Sequence, residues 1–416
     1  MTQTQNKIPK GWKLTRLGNQ IKVGRGSSPR PIQNFLSCHG IPWVKIADAS
    51  ASETRYILKT KECIKEEGRS TSVRVGDLIV SNSATPGIPK FMGIDACVHD
   101  GWLVFNDYKE LNKLYLYYFF LDYRKTLEHS ASGTVFVNLQ TEIVRNIEIL
   151  LPPLPEQKAI AGVLSSLDDK IELLREENRT LEEMAQALFK RWFVEFEFPD
   201  ANGRPYRSTG GRMIKSELGE IPEGWRVGRL KDFGNIICGK TPSKSIKKYF
   251  NGDILFIKIP DMHNQIFIIE TEDSLTKIGA DSQTNKYIPE DSICVSCIAT
   301  VGLVSMTIKT SQTNQQINSI IPSEDYFREY LYLSCKNMYK YLNALGTSGS
   351  ATLNINTKSF SNIVTLVPDK KILKEYSQIT KPMFNKMKNN LLEIQSLSRF
   401  RDTLLPKLMR GEIRIK

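Results

Sequence analysis

Cysteine, histidine and unbroken apolar sequence are all scarce in this chain, and each scarcity closes off a class of protein. The 416 residues include seven cysteines, an odd number at low density, so a disulfide framework is not expected. Two of them form a lone Cys294-Val-Ser-Cys297. A structural zinc site needs a second pair at suitable spacing, and the sequence has none. In a strand-like run, residues three apart face opposite ways, so these read as structural cysteines. The four histidines, His39, His99, His129 and His263, form no ligand-spaced pair. The longest strongly apolar run, Leu114 to Leu121, is far too short to span a bilayer. The opening MTQTQNKIPK is polar, with no apolar signal segment. The expectation is a cytoplasmic protein without membrane contact.

Catalytic signatures are missing as well. The only Pro-Pro, in Leu151-Pro152-Pro153-Leu154, has neither the preceding Asn or Asp nor the following aromatic that an adenine methyltransferase needs. Pro260-Asp261 and Pro368-Asp369 have no acid-x-Lys partner of the nuclease kind. Gly234-Asn-Ile-Ile-Cys-Gly239-Lys240-Thr241 formally matches a phosphate-binding loop. Such a loop follows a buried strand and opens a helix. Here Arg-Leu-Lys-Asp-Phe precedes it and Thr-Pro-Ser-Lys-Ser follows, so a polar turn is the plainer reading. An NTPase using Lys240 is the rival enzyme reading.

What the chain does have is a core, a basic balance and a repeat. Hydrophobic residues make up 40%, mean hydropathy is -0.30, and the length suits two or three domains. Net charge is +12 with a pI near 9.2, which points to nucleic acid, because phosphate neutralisation supplies much of the binding energy. The charge is uneven: +6 over residues 1–150, -5 over 151–200, +4 over 201–368 and +7 over 369–416.

The repeat is the strongest feature. Ile8-Pro-Lys-Gly-Trp12 and Arg16-Leu17 return as Ile221-Pro-Glu-Gly-Trp225 and Arg229-Leu230, at an offset of 213. Gly26 and Pro29 match Gly239 and Pro242, and Trp43-Val-Lys-Ile-Ala-Asp48 matches Phe256-Ile-Lys-Ile-Pro-Asp261. The offset becomes 215 for Ala84-Thr85-Pro-Gly87 against Ala299-Thr300-Val-Gly302. It becomes 216 for Ser132-Gly133, Asn138, Asn146-Ile147 and Pro152 against Ser348-Gly349, Asn354, Asn362-Ile363 and Pro368. Ordered matches with a slow drift mean one duplicated fold with small loop indels.

Each copy opens with short β-like runs, such as Asp77–Val80, Trp102–Phe105 and Ile147–Leu150, punctuated by Gly, Pro, Asn and Ser. A helical stretch interrupts each, Leu111 to Leu127 and Glu324 to Leu345. A long helix then follows. In the first copy it opens near Pro155-Glu156 and carries Ile160, Leu164, Leu167, Ile171, Leu174, Asn178, Leu181, Ala185, Leu188 and Trp192 at alternating four- and three-residue spacing. That is a coiled-coil seam with one register-setting Asn. The second copy offers a looser seam of Tyr376, Ile379, Met383, Met387, Ile394, Leu397, Leu404 and Leu408. An acidic first helix and a basic second one favour mutual pairing.

The expected fold class is α+β: two pseudo-symmetric globular domains separated by two long antiparallel coiled-coil helices. The expected boundaries are 1–150 and 221–368 for the domains, 151–198 and 369–416 for the helices, and 199–220 for a linker. A helix over 156–192 would be about 55 Å long at roughly 1.5 Å per residue. It would therefore span half-sites one turn of duplex DNA apart, roughly 34–36 Å. Because the two domains diverge outside their framework, each should read a different sequence, giving an asymmetric bipartite target.

The framework resembles the specificity subunits of type I restriction–modification systems. The repeated I-P-x-G-W-x-x-x-R-L resembles the start of their target-recognition domains. Leu151-Pro-Pro-Leu-Pro-Glu-Gln-Lys158 resembles their central conserved region, and Phe400-Arg-Asp-Thr-Leu-Leu-Pro-Lys-Leu-Met-Arg-Gly-Glu412 their distal one. The resemblance implies a non-catalytic DNA-reading subunit without a cofactor. It implies as partners double-stranded DNA, two adenine-methyltransferase subunits that bind S-adenosylmethionine and flip the target base, and translocating restriction subunits that use ATP and Mg. A coiled-coil assembly scaffold that never reads DNA is the remaining alternative.

Base readers are usually Arg, Lys, Asn and Gln, with Ser and Thr assisting. The polar Gly-punctuated loops of the first domain nominate Arg25, Ser27, Arg30, Asn82, Ser83, Thr85, Lys90, Ser132 and Thr134. Those of the second nominate Lys240, Thr241, Ser243, Lys244, Lys247, Lys248, Gln312, Asn314, Gln315 and Ser348. Positions shared by both copies, Gly26 with Gly239 and Pro29 with Pro242, should be framework, since the halves read different bases.

Overall fold

The computed structural model describes residues 8–130, 138–347 and 354–415. The chain divides into two compact units, Met1–Glu172 with Ser396–Lys416, and Leu173–Gln395. The division falls within two long helices rather than beside them. Four helices matter below: α1 (Lys113–Ser130), α2 (Leu154–Phe189), α3 (Arg328–Asn337) and α4 (Lys370–Met409).

In the first unit, β1 (Lys22–Arg25), β2 (Leu78–Ser81), β3 (Pro89–Met92) and β4 (Trp102–Asn106) form a five-stranded sheet in the order β1-β4-β2-β3, completed by Tyr56–Ile57. All pairs are antiparallel except the last, which is parallel. The second unit repeats this topology. There β5 (Gly234–Cys238), β6 (Ile293–Ser296), β7 (Val304–Thr307) and β8 (Ile317–Pro322) pair as β5-β8-β6-β7, with Phe267–Ile268 joined in parallel at the edge. Leu78–Ser81 and Ile293–Ser296 are buried along their whole length, as continuous apolar runs at a sheet centre should be.

The shared sequence fragments prove to be framework. Each I-P-x-G-W-x-x-x-R-L leads into a strand, Lys13–Arg16 or Arg226–Arg229, that pairs antiparallel with the strand preceding a long helix, Glu148–Leu151 or Val364–Val367. Trp12 and Trp225 are buried beside these ladders, and Leu17 and Leu230 completely so. Asp48 accepts hydrogen bonds from the Lys45 and Lys61 amides at 2.7 and 3.0 Å. Asp261 does the same for Lys258 and Glu272 at the same distances. Tyr115 of α1 donates to the Leu150 carbonyl at 3.0 Å, and Tyr330 of α3 to that of Leu366 at 2.6 Å. A buried phenol needs such a partner, and the duplication preserved both halves of the bond.

Within each unit the long-helix segments pack antiparallel. In the first, Ile160 and Leu164 share a core with Leu405, Leu408 and Met409. Asp168, nearly buried, accepts from Arg401 Nη1 and the Tyr118 hydroxyl, both at 2.6 Å. In the second, Asn390 Nδ2 donates at 2.8 Å to both Asn178 Oδ1 and Glu177 Oε2, and Asn178 Nδ2 reaches the Met387 carbonyl at 3.4 Å. Ile171, Leu174, Asn178, Ala185 and Trp192 are buried as the seam requires, while Leu167, Leu181 and Leu188 are half-buried. In α4 the expectation needs correcting. Ile379 is 44% exposed, because a helix of 3.6 residues per turn carries it off the face defined by Tyr376, Thr380, Phe384 and Met387. Met383, Leu397 and Leu404 are half-buried, Ile394 and Leu408 buried, and Leu405 rather than Leu404 points fully inward. The seam looked loose in sequence because Thr380, Asn390 and Arg401 occupy it as polar residues.

The stretch expected as a linker is folded. Met213–Ser216 and Gly219–Pro222 make a hairpin, and Tyr206 stacks on Phe198, which stacks on Trp225, with ring centroids 4.6 and 4.9 Å apart. In the same unit Arg328 and Glu329, both buried, form an ion pair. Arg328 also reaches Asp291 at 2.8 Å and Asn385 at 3.2 Å, and Ser377 donates to Glu329 at 3.3 Å. These bonds tie α3 to α4.

Two outcomes follow for stability, both measurable by denaturant unfolding. Asn390→Leu leaves Asn178 buried without its amide partner and should cost about 1–3 kcal/mol. The Asn178→Leu, Asn390→Leu double variant should lose less than the sum of the single variants. Glu329→Ala strips the buried Arg328 of its nearest counter-charge and should cost about 3–5 kcal/mol; a loss below about 1 kcal/mol would contradict the bonding described.

Candidate nucleic-acid interface

Arg25, Ser27 and Arg30 in the first unit, and Lys240 and Thr241 in the second, flank one repeated turn. In the first unit β1 runs into Gly26, whose amide donates to the Trp102 carbonyl at 2.8 Å. The chain passes so close to the facing turn that a Cβ on Gly26 would stand 2.0 Å from the His99 carbonyl oxygen. In the second unit the Gly239 amide donates to Ile317 at 3.1 Å, and a Cβ there would stand 2.2 Å from the Asn314 carbonyl oxygen. Glycine is required at both because the crossing leaves no room for a side chain. That agrees with the reading of these two positions as framework.

The facing turn is His99-Asp100-Gly101 in one unit and Asn314-Gln315-Gln316 in the other. His99 Nδ1 accepts from the Gly101 amide at 2.8 Å, and Asn314 Oδ1 from the Gln316 amide at 3.0 Å. Ser28 donates to Asp100 Oδ1 at 2.9 Å, and Thr241 to Gln315 Oε1 at 2.7 Å. Arg25 Nε donates to the Asp100 carbonyl at 2.8 Å, and Arg30 lies 3.4 Å from Asp100 Oδ2. Ser27 shares a hydrogen bond with Thr71 at 2.9 Å. Burial alone would raise the Asp100 carboxyl, but Ser28, the local backbone, His99 and Arg30 outweigh it and hold it below the usual carboxylate range. Burial lowers His99 against the pull of Asp100.

A second shared loop abuts this turn. Asn82 donates its amide to the Gly101 carbonyl and Cys297 to that of Gln316, both at 2.8 Å. Each loop then passes through an alanine in the left-handed region, Ala84 at φ 57° and Ala299 at φ 64°. L-residues there cost about 1–2 kcal/mol, and strain of this kind concentrates at functional sites. Ser83 and Thr85 are half-buried in the first of these loops.

Several nominated residues are buried. Lys90 is buried, its ammonium bonded to the Ser52 and Thr54 carbonyls. Gln312 is fully buried, donating to Ala280 at 2.9 Å and accepting from Gln283 at 2.7 Å. Asn314 is buried too and shapes the turn rather than facing solvent. Asn82 is also buried, its amide held by the Asp100 carbonyl at 3.0 Å. Lys240, Ser243, Lys244, Lys247 and Lys248 are exposed, and Thr241 is half-buried. Ser132, Thr134 and Ser348 lie outside the described residues. Asp100 and His99, which fall outside the nominated residue types, shape this turn. The signal was available, since Ser28 with Asp100 falls on Thr241 with Gln315 at the drifting offset of the repeat.

The phosphate-loop pattern has the wrong geometry. Gly234–Cys238 is a strand paired along its length with Ile317–Pro322. The Gly239 and Lys240 amides go to Ile317 and Thr313, so they are not free to cradle a phosphate. Cys294 and Cys297 belong to different core clusters, and burial pushes their thiols up to about 12 and about 11. Among the described residues no three His, Cys, Asp or Glu side chains gather around a possible metal position, and no helix is long and apolar enough to cross a membrane.

Comparison with known proteins converges on one family. The family model described as the type I restriction modification DNA specificity domain matches residues 9–183 and again 222–396. The HindI specificity subunit of Haemophilus influenzae is 42% identical over 343 residues, covering 70% of this chain and 74% of that protein. The MjaIX specificity subunit of Methanocaldococcus jannaschii is 26% identical over 99% of this chain and 95% of its own. The crystal structure of a type I restriction–modification S subunit from M. genitalium shares the fold with a TM-score of 0.59 over 98% of both chains, at 16% identity. With two matched domains, a duplicated α+β framework and a repeated polar turn, the chain belongs to the type I restriction–modification DNA specificity subunits, the non-catalytic DNA-recognition proteins of those systems.

Proposed function

We propose that this chain reads an asymmetric, bipartite duplex DNA site, one half per globular domain, with a central stretch not read base by base. The observation that carries this is the repeated turn: one backbone geometry in each unit, presenting Arg25, Ser27, Ser28, Arg30 and Asp100 in the first and Lys240, Thr241, Ser243, Lys244 and Gln315 in the second. A shared framework bearing unlike polar groups is what two half-sites of different sequence call for. The domains are 1–150 and 221–368, and the helical regions 151–198 and 369–416 set the spacer and dock two adenine-methyltransferase subunits. S-adenosylmethionine, ATP and Mg belong to those and to the translocating restriction subunits. The complex works in the cytoplasm.

Methylation-sensitive sequencing of a genome carrying the assembled system tests this. It should reveal one two-part motif with a methyladenine in each part, and exchange of residues 1–150 for those of a relative should change one part alone. A chain indifferent to DNA sequence in gel shifts with its methyltransferase partners would instead be an assembly scaffold. Each of Lys244→Ala and Lys247→Ala should weaken binding to all sequences alike and reduce the slope of log affinity against log salt by roughly one. ATP turnover lost in Lys240→Ala would favour the NTPase reading.

A further inference from the structure

The apex residue of the repeated turn differs in chemistry while much of what holds it is the same. Asp100 and Gln315 follow residues whose side chains accept from the amide two positions on. Each faces the crossing glycine's strand, and each takes a hydroxyl hydrogen bond on one side-chain oxygen from the second residue past that glycine. A contact to the apex carbonyl is also made from the matching position: Arg25 Nε bonds the Asp100 carbonyl at 2.8 Å, and Cys238 Sγ lies 3.6 Å from that of Gln315. The Asp100 side chain is 44% exposed, and Gln315 is exposed. Two apices fixed this alike and filled this differently have the property a base reader needs.

The charges sharpen the point. Asp100 sits among Arg25 and Arg30, on the face that must approach phosphates. A carboxylate there opposes non-specific binding, so its return has to come from selection between bases. An ionised carboxylate offers acceptors only. Guanine N7 and O6 and thymine O4 present acceptors against it, and adenine sets its N6 donor beside the N7 acceptor, whereas cytosine presents the N4 amino donor with no neighbouring acceptor. Ser28 takes one oxygen, and Oδ2 has only the loose 3.4 Å contact with Arg30. Gln315 offers a donor beside an acceptor, the pattern that pairs with adenine N6 and N7.

We infer that Asp100 and Gln315 are equivalent specificity-determining residues, Asp100 selecting a cytosine in one half-site and Gln315 an adenine in the other. This rests on the two-part reading proposed above, and the experiment separates the two. The full chain is assembled with its methyltransferase subunits, its methylation motif is sequenced, and affinities for single-base variants of the site are measured. Asp100→Asn should lower discrimination at one cytosine-containing pair of the first half by roughly tenfold, leave the second half unchanged and raise affinity for non-cognate DNA. Gln315→Glu should exchange an adenine preference for cytosine at one pair of the second half and leave the first unchanged. Ser28→Ala, which keeps the carboxylate but frees it to rotate, should blur the same pair as Asp100→Asn. If both apex variants keep the wild-type motif, or weaken binding to every sequence equally as a mere brace for the arginines would, the inference falls. A wild-type chain with no two-part motif would sink the functional reading along with it.

Discussion

The constraint on which the repeated turn depends is a backbone crossing too close for a side chain. At Gly26 and again at Gly239, the chain leaving the edge strand of a five-stranded sheet presses against the turn entering the neighbouring strand. The crossing fixes the turn, and the turn fixes where Asp100 and Gln315 stand. A glycine whose substitution would drive a Cβ to within about 2 Å of a carbonyl oxygen cannot drift without moving that turn. The side chains around it differ between the two copies, as the proposed reading of two different half-sites requires. Rigidity of the support and freedom of the contacts are separate properties here, held by separate residues.

The long helices show the same division of labour in another form. Their apolar positions supply the packing, while Asp168 with Arg401 in one unit and Asn178 with Asn390 in the other supply the register. A buried polar pair of this kind stabilises little beyond what leucines would, yet any slipped register leaves its members unsatisfied. A subunit that sets spacing between two readers needs that selectivity more than it needs extra stability.

Much of this was legible in the sequence. The duplication showed itself through Trp12 and Trp225, Gly26 and Gly239, and Asp48 and Asp261, because framework residues are held by geometry that both copies retain. The seam of α2 was legible because its residues are apolar at regular spacing. The seam of α4 was legible only in part, since polar Thr380, Asn390 and Arg401 interrupt it, and the partners of Asn390 and Arg401 lie far off in sequence. Polarity likewise did not show that Lys90, Gln312 and Asn314 are buried: an exposed polar loop residue and one bonded to buried backbone look alike until the fold supplies the partners. Asp100 was not among the nominated residue types, and only the fold brings out its correspondence with Gln315.

The decisive property is which surface of each unit meets the base edges. A structure of the assembled complex on its own target duplex measures this directly. It should show the turns at 99–101 and 314–316 entering the major groove of the two half-sites, with Ser28 and Thr241 still bonded behind them. Turns facing solvent, with the bases met by other loops, would contradict it.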